Sequence, residues 1–334
     1  MNNFHDLKIR KLWIFFLWCS SAALTLYSFS CNAPHSNPLD PQNPQNNLGT
    51  IQGVVQTFSL PFTGIADVSV YWPSANVLVK TDQNGKFAIN NVPVVNGVLI
   101  FQKEGFRTDS LIINWNGSKI VKPQVNLNRV PVLDSVLIFT SVINQYFPSQ
   151  TFELDVLAKV SDKDNDIDSV FVSNAQLNLN KKLSFNISQN YFQTSVTPAE
   201  MNISDLEQAI GLDFNIVAYD RFKNSYNIGS GKVTRVIKSP INVIAPANSD
   251  TVSSNPSLTW QKFSPGYSFN YTVEVYTNDF ANSQIVFSQS GVSSDSTSYF
   301  VKNPLPPKNY YWVLWVMDQF QNRARSKPAT FTVK

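Results

Sequence analysis

Thr81-Asp82-Gln83-Asn84-Gly85-Lys86-Phe87-Ala88-Ile89 decides the fold class. Asp82-Gln83-Asn84-Gly85 is a turn, because Asn and Gly tolerate the positive φ of tight hairpins and Asp bonds nearby backbone N–H groups. It separates Val77-Val79 from Phe87-Ile89, where apolar residues recur at every second position. That is the period of a strand with one buried face. The same period extends outward through Ile51-Gly53-Val55, Val68-Val70, Val98-Ile100 and Val125-Leu127. It continues in Phe152-Leu154-Val156, Val170-Val172, Leu183-Phe185-Ile187 and Phe214-Ile216-Ala218, and only residues 204–210 read as a helical turn. Short strands separated by Asn, Asp, Gly, Ser and Pro argue for sandwiches and against βαβ units, which need long crossover helices.

Two seams cut this run, Arg129-Val130-Pro131 and Lys238-Ser239-Pro240, each with a Pro that favours a non-pairing connection. The expected architecture is all-β: three tandem β-sandwich domains over 50–129, 130–239 and 240–334, after a signal peptide and a Pro/Asn-rich tether. Residues 1–30 read as the signal peptide, with Lys8, Arg10 and Lys11 before an apolar stretch from Leu12 to about Tyr27. A retained membrane helix is the other reading of that stretch, but Ser20, Ser21 and Thr25 interrupt it and no basic stop follows. Residues 31–49 read as a flexible spacer.

Several stretches resemble known families. Gly53-Val54-Val55, Gly64 to Val70, Thr81 to Phe87 with Asn91-Val92-Pro93, and Lys103-Glu104-Gly105-Phe106 resemble, in order, the carboxypeptidase regulatory-like domain. That resemblance implies a transthyretin-like seven-strand sandwich without chemistry of its own. Residues 130–239, with an Asp-rich bend after the second strand, loosely resemble bacterial immunoglobulin-like modules. Residues 240–334 resemble a fibronectin type III-like module through Pro256 to Trp260, Tyr271 to Tyr276, Tyr311 to Asp318 and Phe331 to Val333. The resemblance puts Trp260, Trp312, Leu314 and Val316 inside, leaving Val313 and Trp315 outside. Cys31 resembles the acceptor cysteine of bacterial lipoproteins, which implies lipid on its sulfur and amine and a place in the cell envelope, at the outer membrane. A soluble secreted protein with a free thiol is the alternative.

Composition narrows the chemistry. The 334 residues contain two His, His5 and His35, both ahead of the first strand, so no folded domain can assemble a Ser-His-Asp or Cys-His set. Cys19 and Cys31 are the only cysteines, so zinc sites and disulfides are starved of ligands. Removing residues 1–30 leaves 23 basic and 22 acidic side chains, which removes any case for nucleic-acid affinity. Arg323, Arg325 and Lys327 form the one compact basic group and read as a charged, aggregation-resistant edge. The expectation is a protein that is not an enzyme and needs no cofactor.

Four features remain as candidates. Asp162, Asp164, Asp166 and Asp168 alternate as a Ca2+ site would require, but Ile167 replaces the needed Gly and Ser173 the closing Glu, so a solvated turn is the competing reading. Trp72 and Trp115 read as loop-mouth residues able to stack on sugar, or as lids on their own core. Val313 and Trp315 read as an outward apolar patch for a protein or glycan partner, or as packing between domains. Ala218-Tyr219-Asp220-Arg221-Phe222-Lys223-Asn224 and Val316-Met317-Asp318-Gln319-Phe320-Gln321-Asn322 share Asp-x-Phe-x-Asn, a capped turn in which Phe closes the sandwich and Asn takes the left-handed conformation. Two functions fit: a structural, adhesive or assembly lipoprotein, or a carbohydrate-binding outer-membrane lipoprotein of a polysaccharide-uptake system.

Overall fold

The computed structural model describes Asn43, residues 47–279 and residues 282–334, and these contain strands and short 3-10 turns with no α-helix. The signal peptide, Cys31 and nearly all of the tether lie outside the described residues. The chain divides into two compact units between Asn128 and Arg129.

The first unit contains β1 (Leu48–Thr57), β2 (Ser69–Trp72), β3 (Val77–Lys80), β4 (Lys86–Pro93), β5 (Gly97–Gln102), β6 (Asp109–Ile113), β7 (Ile120–Val121) and β8 (Gln124–Leu127). They form two four-stranded sheets, one with β1 between β4 and β7/β8, the other in the order β3-β2-β5-β6. Ile51, Val55, Val70, Phe87, Ile89, Leu99, Phe101, Val125 and Leu127 meet between them as one core. The Asp82–Gly85 turn forms as its residues require. Gly85 has φ +75, and the Asp82 carboxylate accepts the N–H groups of Asn84 and Lys86. A Cβ on Gly64 would sit 2.0 Å from the Asn84 carbonyl oxygen, so this turn closes only against a residue without a side chain.

The second unit begins with β9 (Val132–Asn144), β10 (Gln150–Ser161), β11 (Ile167–Asn174), β12 (Leu179–Asn186), β13 (Tyr191–Val196), β14 (Asp213–Asp220) and β15 (Ser225–Lys232). It ends with β16 (Val243–Ala245), β17 (Asp250–Val252), β18 (Ser257–Trp260), β19 (Phe269–Thr277), β20 (Ile285–Ser293), β21 (Ser298–Phe300), β22 (Asn309–Asp318), β23 (Arg323–Arg325) and β24 (Ala329–Val333). Phe214, Ile216 and Ala218 are fully buried, as their row on β14 requires. The expected row on β12 fails after Leu183: Phe185 is exposed and Ile187 lies past the strand end, 85% exposed.

The seam at Pro240 does not separate two cores. β9 pairs in parallel with β23, Ser141 to Ile143 alongside Arg323 to Arg325, so one hydrogen-bonded sheet of 13 strands crosses the seam. Val233, Val236, Ile237 and Ile241, around the seam, are buried in a single apolar cluster with residues from both sides. The physical reason is that β23 occupies what would be an open edge of β9, and pairing satisfies its backbone groups. Arg323 and Arg325 therefore sit on an interior strand, not on the charged edge expected from sequence.

Side chains reinforce the parallel joint. Buried Asn322 accepts the Thr140 N–H at 3.0 Å and donates to Thr234 at 2.8 Å and to Asp318 at 3.0 Å. Replacing Asn322 with Ala leaves the buried Thr140 N–H unsatisfied and should cost about 2–4 kcal/mol. The equivalent Asn224→Ala, which removes only an intra-turn bond to Asp220, should cost about 1 kcal/mol or less. Urea unfolding of both variants checks this, and equal losses would refute the joint role of Asn322.

Candidate functional site

The Asp-rich bend connects β10 to β11. Asp162 accepts the N–H of Asp164 at 3.1 Å on one oxygen and of Asp166 at 2.8 Å on the other, and Asn165 takes φ +55. Asp164 is buried and holds Arg129 twice, accepting its backbone N–H at 2.7 Å and its guanidinium at 2.9 Å. Asp168 pairs with Lys223 at 3.0 Å, and that bond, with one from Ser169, holds its carboxyl below the usual range. Asp166 is buried, and its carbonyl accepts the Arg221 N–H. The carboxylates of Asp162, Asp164 and Asp168 are thus engaged by backbone N–H groups or by basic side chains, the arrangement of a capped turn. Among the described residues no group of three or more His, Cys, Asp or Glu is placed to hold a metal ion. Added calcium or a chelator should move the melting temperature by less than about 1 °C, because a ligand binding only the folded state would raise it. A large calcium-dependent rise in a thermal scan would overturn the capped-turn reading.

The two Asp-x-Phe-x-Asn turns superimpose in their bonding. Asp220 accepts the N–H groups of Phe222 and Asn224, and Asp318 those of Phe320 and Asn322. The left-handed residue is not the Asn but the one before it, Lys223 at φ +65 and Gln321 at φ +70. Nor does the Phe close the sandwich, since Phe222 and Phe320 are both exposed. The Asp is what folds the bend, because its carboxylate takes up the N–H groups that the turn leaves free. Burial alone would raise the Asp220 carboxyl, but the donors on Asn224, Tyr226 and Phe222 outweigh it and hold it low. The second oxygen of Asp220 takes the Tyr226 hydroxyl, whereas that of Asp318 takes the Arg235 guanidinium at 2.6 Å. Sequence reading missed Arg235, Thr140 and Thr234 as members of this joint. The repeat pointed to Asn322, but no local signal ties it to a strand 182 residues away.

The aromatic candidates separate. Trp72, the last residue of β2, is fully buried, because Gly97 leaves the space its ring fills. Trp115 is buried over Gly49, with its indole N–H donating to the Val95 carbonyl at 2.9 Å. Neither stands at a loop mouth where a sugar could stack; both cover their own core. Val313 is also fully buried, although it points outward, since Tyr311 and Trp315 flank it and Glu274 lies opposite on β19.

Trp315 is half-buried and lies under charge. The guanidinium of Arg323 is 5.2 Å from its ring and 5.0 Å from the ring of Phe139, and that of Arg325 is 5.9 Å from Trp315. The Trp315 indole N–H donates to Glu274 at 2.8 Å, and Glu274 also accepts the Tyr276 hydroxyl. Burial lowers the Arg325 guanidinium and raises the Tyr276 phenol. Arg323 bonds Ser141 at 2.8 Å and reaches Asp155 at 3.4 Å, so the row of rings and cations spans the β9–β23 seam. Trp315→Ala should destabilise the protein by about 2–3 kcal/mol, from lost packing and cation–π contact. Denaturant unfolding checks this, and an unchanged midpoint would reassign Trp315 to a free surface.

No protein-family model matches the chain, and no curated protein matches it. Among solved structures it is similar to the fibronectin(III)-like modules of Clostridium thermocellum CbhA, at 14% identity and TM-score 0.28, covering 61% of this chain and 94% of that one. It is similar to the FN1–FN3 domains of chicken CNTN1 at 10% identity and TM-score 0.30, covering 86% and 98%. It is similar also to BcpA, the major pilin subunit of Bacillus cereus, at 11% identity and TM-score 0.24, covering 86% and 95%.

Proposed function

We propose that this chain is a non-catalytic cell-envelope lipoprotein, anchored at the outer membrane by lipid on Cys31 and serving as a structural, adhesive or assembly module. The finer identities belong to the same proposal: a carboxypeptidase regulatory-like module over 50–129, then immunoglobulin-like and fibronectin type III-like portions that share one core over 130–334. One observation carries the non-catalytic part. Among the conspicuous polar groups of the second unit, Asp155, Asp164, Asp318 and Asn322 bond other parts of the fold, and Asp220 caps its own turn and accepts the Tyr226 hydroxyl. Groups spent in this way hold strands together and are not free to act on a substrate. Support for the anchor comes from the sequence: a basic start, an apolar run, Cys31 and a Pro/Asn-rich spacer.

Cys31→Ser should move the protein from the membrane fraction to the soluble fraction or leave an uncleaved precursor. Fractionation, with mass analysis of the native N-terminal peptide, checks this. An unmodified Cys31 in the native protein would sink the anchor while leaving export intact.

A further inference from the structure

The outer face of the sheet formed by β4, β1 and β8 carries a shallow, open cleft of about 800 Å³. Its floor is set by register: Val54 lies between Lys86 on β4 and Gln124 on β8, and Gln52 lies opposite Ala88. Lys80, Lys86 and Lys122 line it. None of these three ammonium groups has a hydrogen bond or ion pair among the described residues, whereas Lys181, Lys223, Lys232, Lys238 and Lys262 each lie within 4 Å of an acid. The one acid in the cleft, Asp82, has an oxygen turned back onto its own loop by the N–H groups of Asn84 and Lys86. The cleft therefore keeps an excess of unpaired positive charge.

We infer that this cleft binds an acidic polysaccharide, with Lys80, Lys86 and Lys122 pairing carboxylates and the Gln52 and Gln124 amides bonding hydroxyls. The class follows from what the cleft offers. Neither amide side chain has a hydrogen bond among the described residues, so both are available to donate and accept. Phe87, the one aromatic side chain in the lining, is buried and packed on Phe101, so no ring is presented for a nucleobase to stack on. Each exposed lysine–carboxylate pair is weak alone, but a polymer that repeats its charge engages several together. The inference names a partner class for the adhesive role proposed above and rests on that role. Its test is nevertheless independent of the anchor, because the gel reads binding and the Cys31→Ser fractionation reads attachment.

The experiment is affinity electrophoresis of the full chain through gels containing polygalacturonate, neutral dextran or single-stranded DNA. Wild type should be retarded by polygalacturonate and not by dextran, less so as salt rises. The double variant Lys86→Gln/Lys122→Gln should weaken the interaction at least about tenfold, since two of three charge contacts are lost. Lys302→Gln, an exposed lysine far along the sequence, should change nothing, and unaltered melting temperatures would confirm intact folds. No retardation by polygalacturonate, equal retardation by dextran, stronger retardation by DNA, or indifference to the double variant would each overturn the inference.

Discussion

The second unit depends on the parallel pairing of Ser141 to Ile143 with Arg323 to Arg325. Those few backbone bonds decide whether residues 129–334 contain two cores or one. Around them the protein concentrates its polar investment: Asn322 on Thr140, Arg323 on Ser141, Asn144 on the Arg325 carbonyl at 2.7 Å, Arg235 on Asp318. Buried polar groups without partners are costly, so each of these bonds also forbids a displaced arrangement of the two lobes. Register is fixed by penalty as much as by attraction.

Much of the local fold was legible because it follows a two-residue period. Phe214, Ile216 and Ala218 are buried where the alternation put them, while the burial of Trp260, Trp312, Leu314 and Val316 was expected from resemblance to a fibronectin type III-like module. β6 and β7 escaped because Leu111-Ile112-Ile113 has no alternation and Ile120-Val121 is too short to show a period. The Pro240 seam misled for a different reason. Pro marks a connection, but Val236, Ile237 and Ile241 on either side are buried, and irregularly spaced apolar residues there signal a packed crossing rather than a free linker.

The candidate site was less legible, since sequence gives the residue but not the space around it. Trp72 and Trp115 sit beside turn residues, and nothing local shows that Gly97 and Gly49 make room for their rings. Val313 alternates outward and is buried all the same, between Tyr311 and Trp315 on its own strand face and opposite Glu274 on β19. The Asp-x-Phe-x-Asn turns show the opposite case. Their capping follows from chemistry confined to five residues, so it was readable, while the use of one copy as a joint depended on a strand far away in the chain.

The direction of β9 and β23 has a mechanical meaning. β9 opens the unit and β23 with β24 ends it, and β9 and β23 run parallel. A pull applied at the two ends of residues 129–334 therefore draws these neighbouring strands past one another lengthwise. Their hydrogen bonds, and the ring–guanidinium row above them, are loaded together rather than opened one after another as in a peeled hairpin. Shear of that kind sets resistance by the height of the unfolding barrier rather than by net stability. Tension from the C-terminal end meets β24 and its pairs with β22 and β17 before it reaches β23, so the seam is the parallel joint that resists in shear behind them.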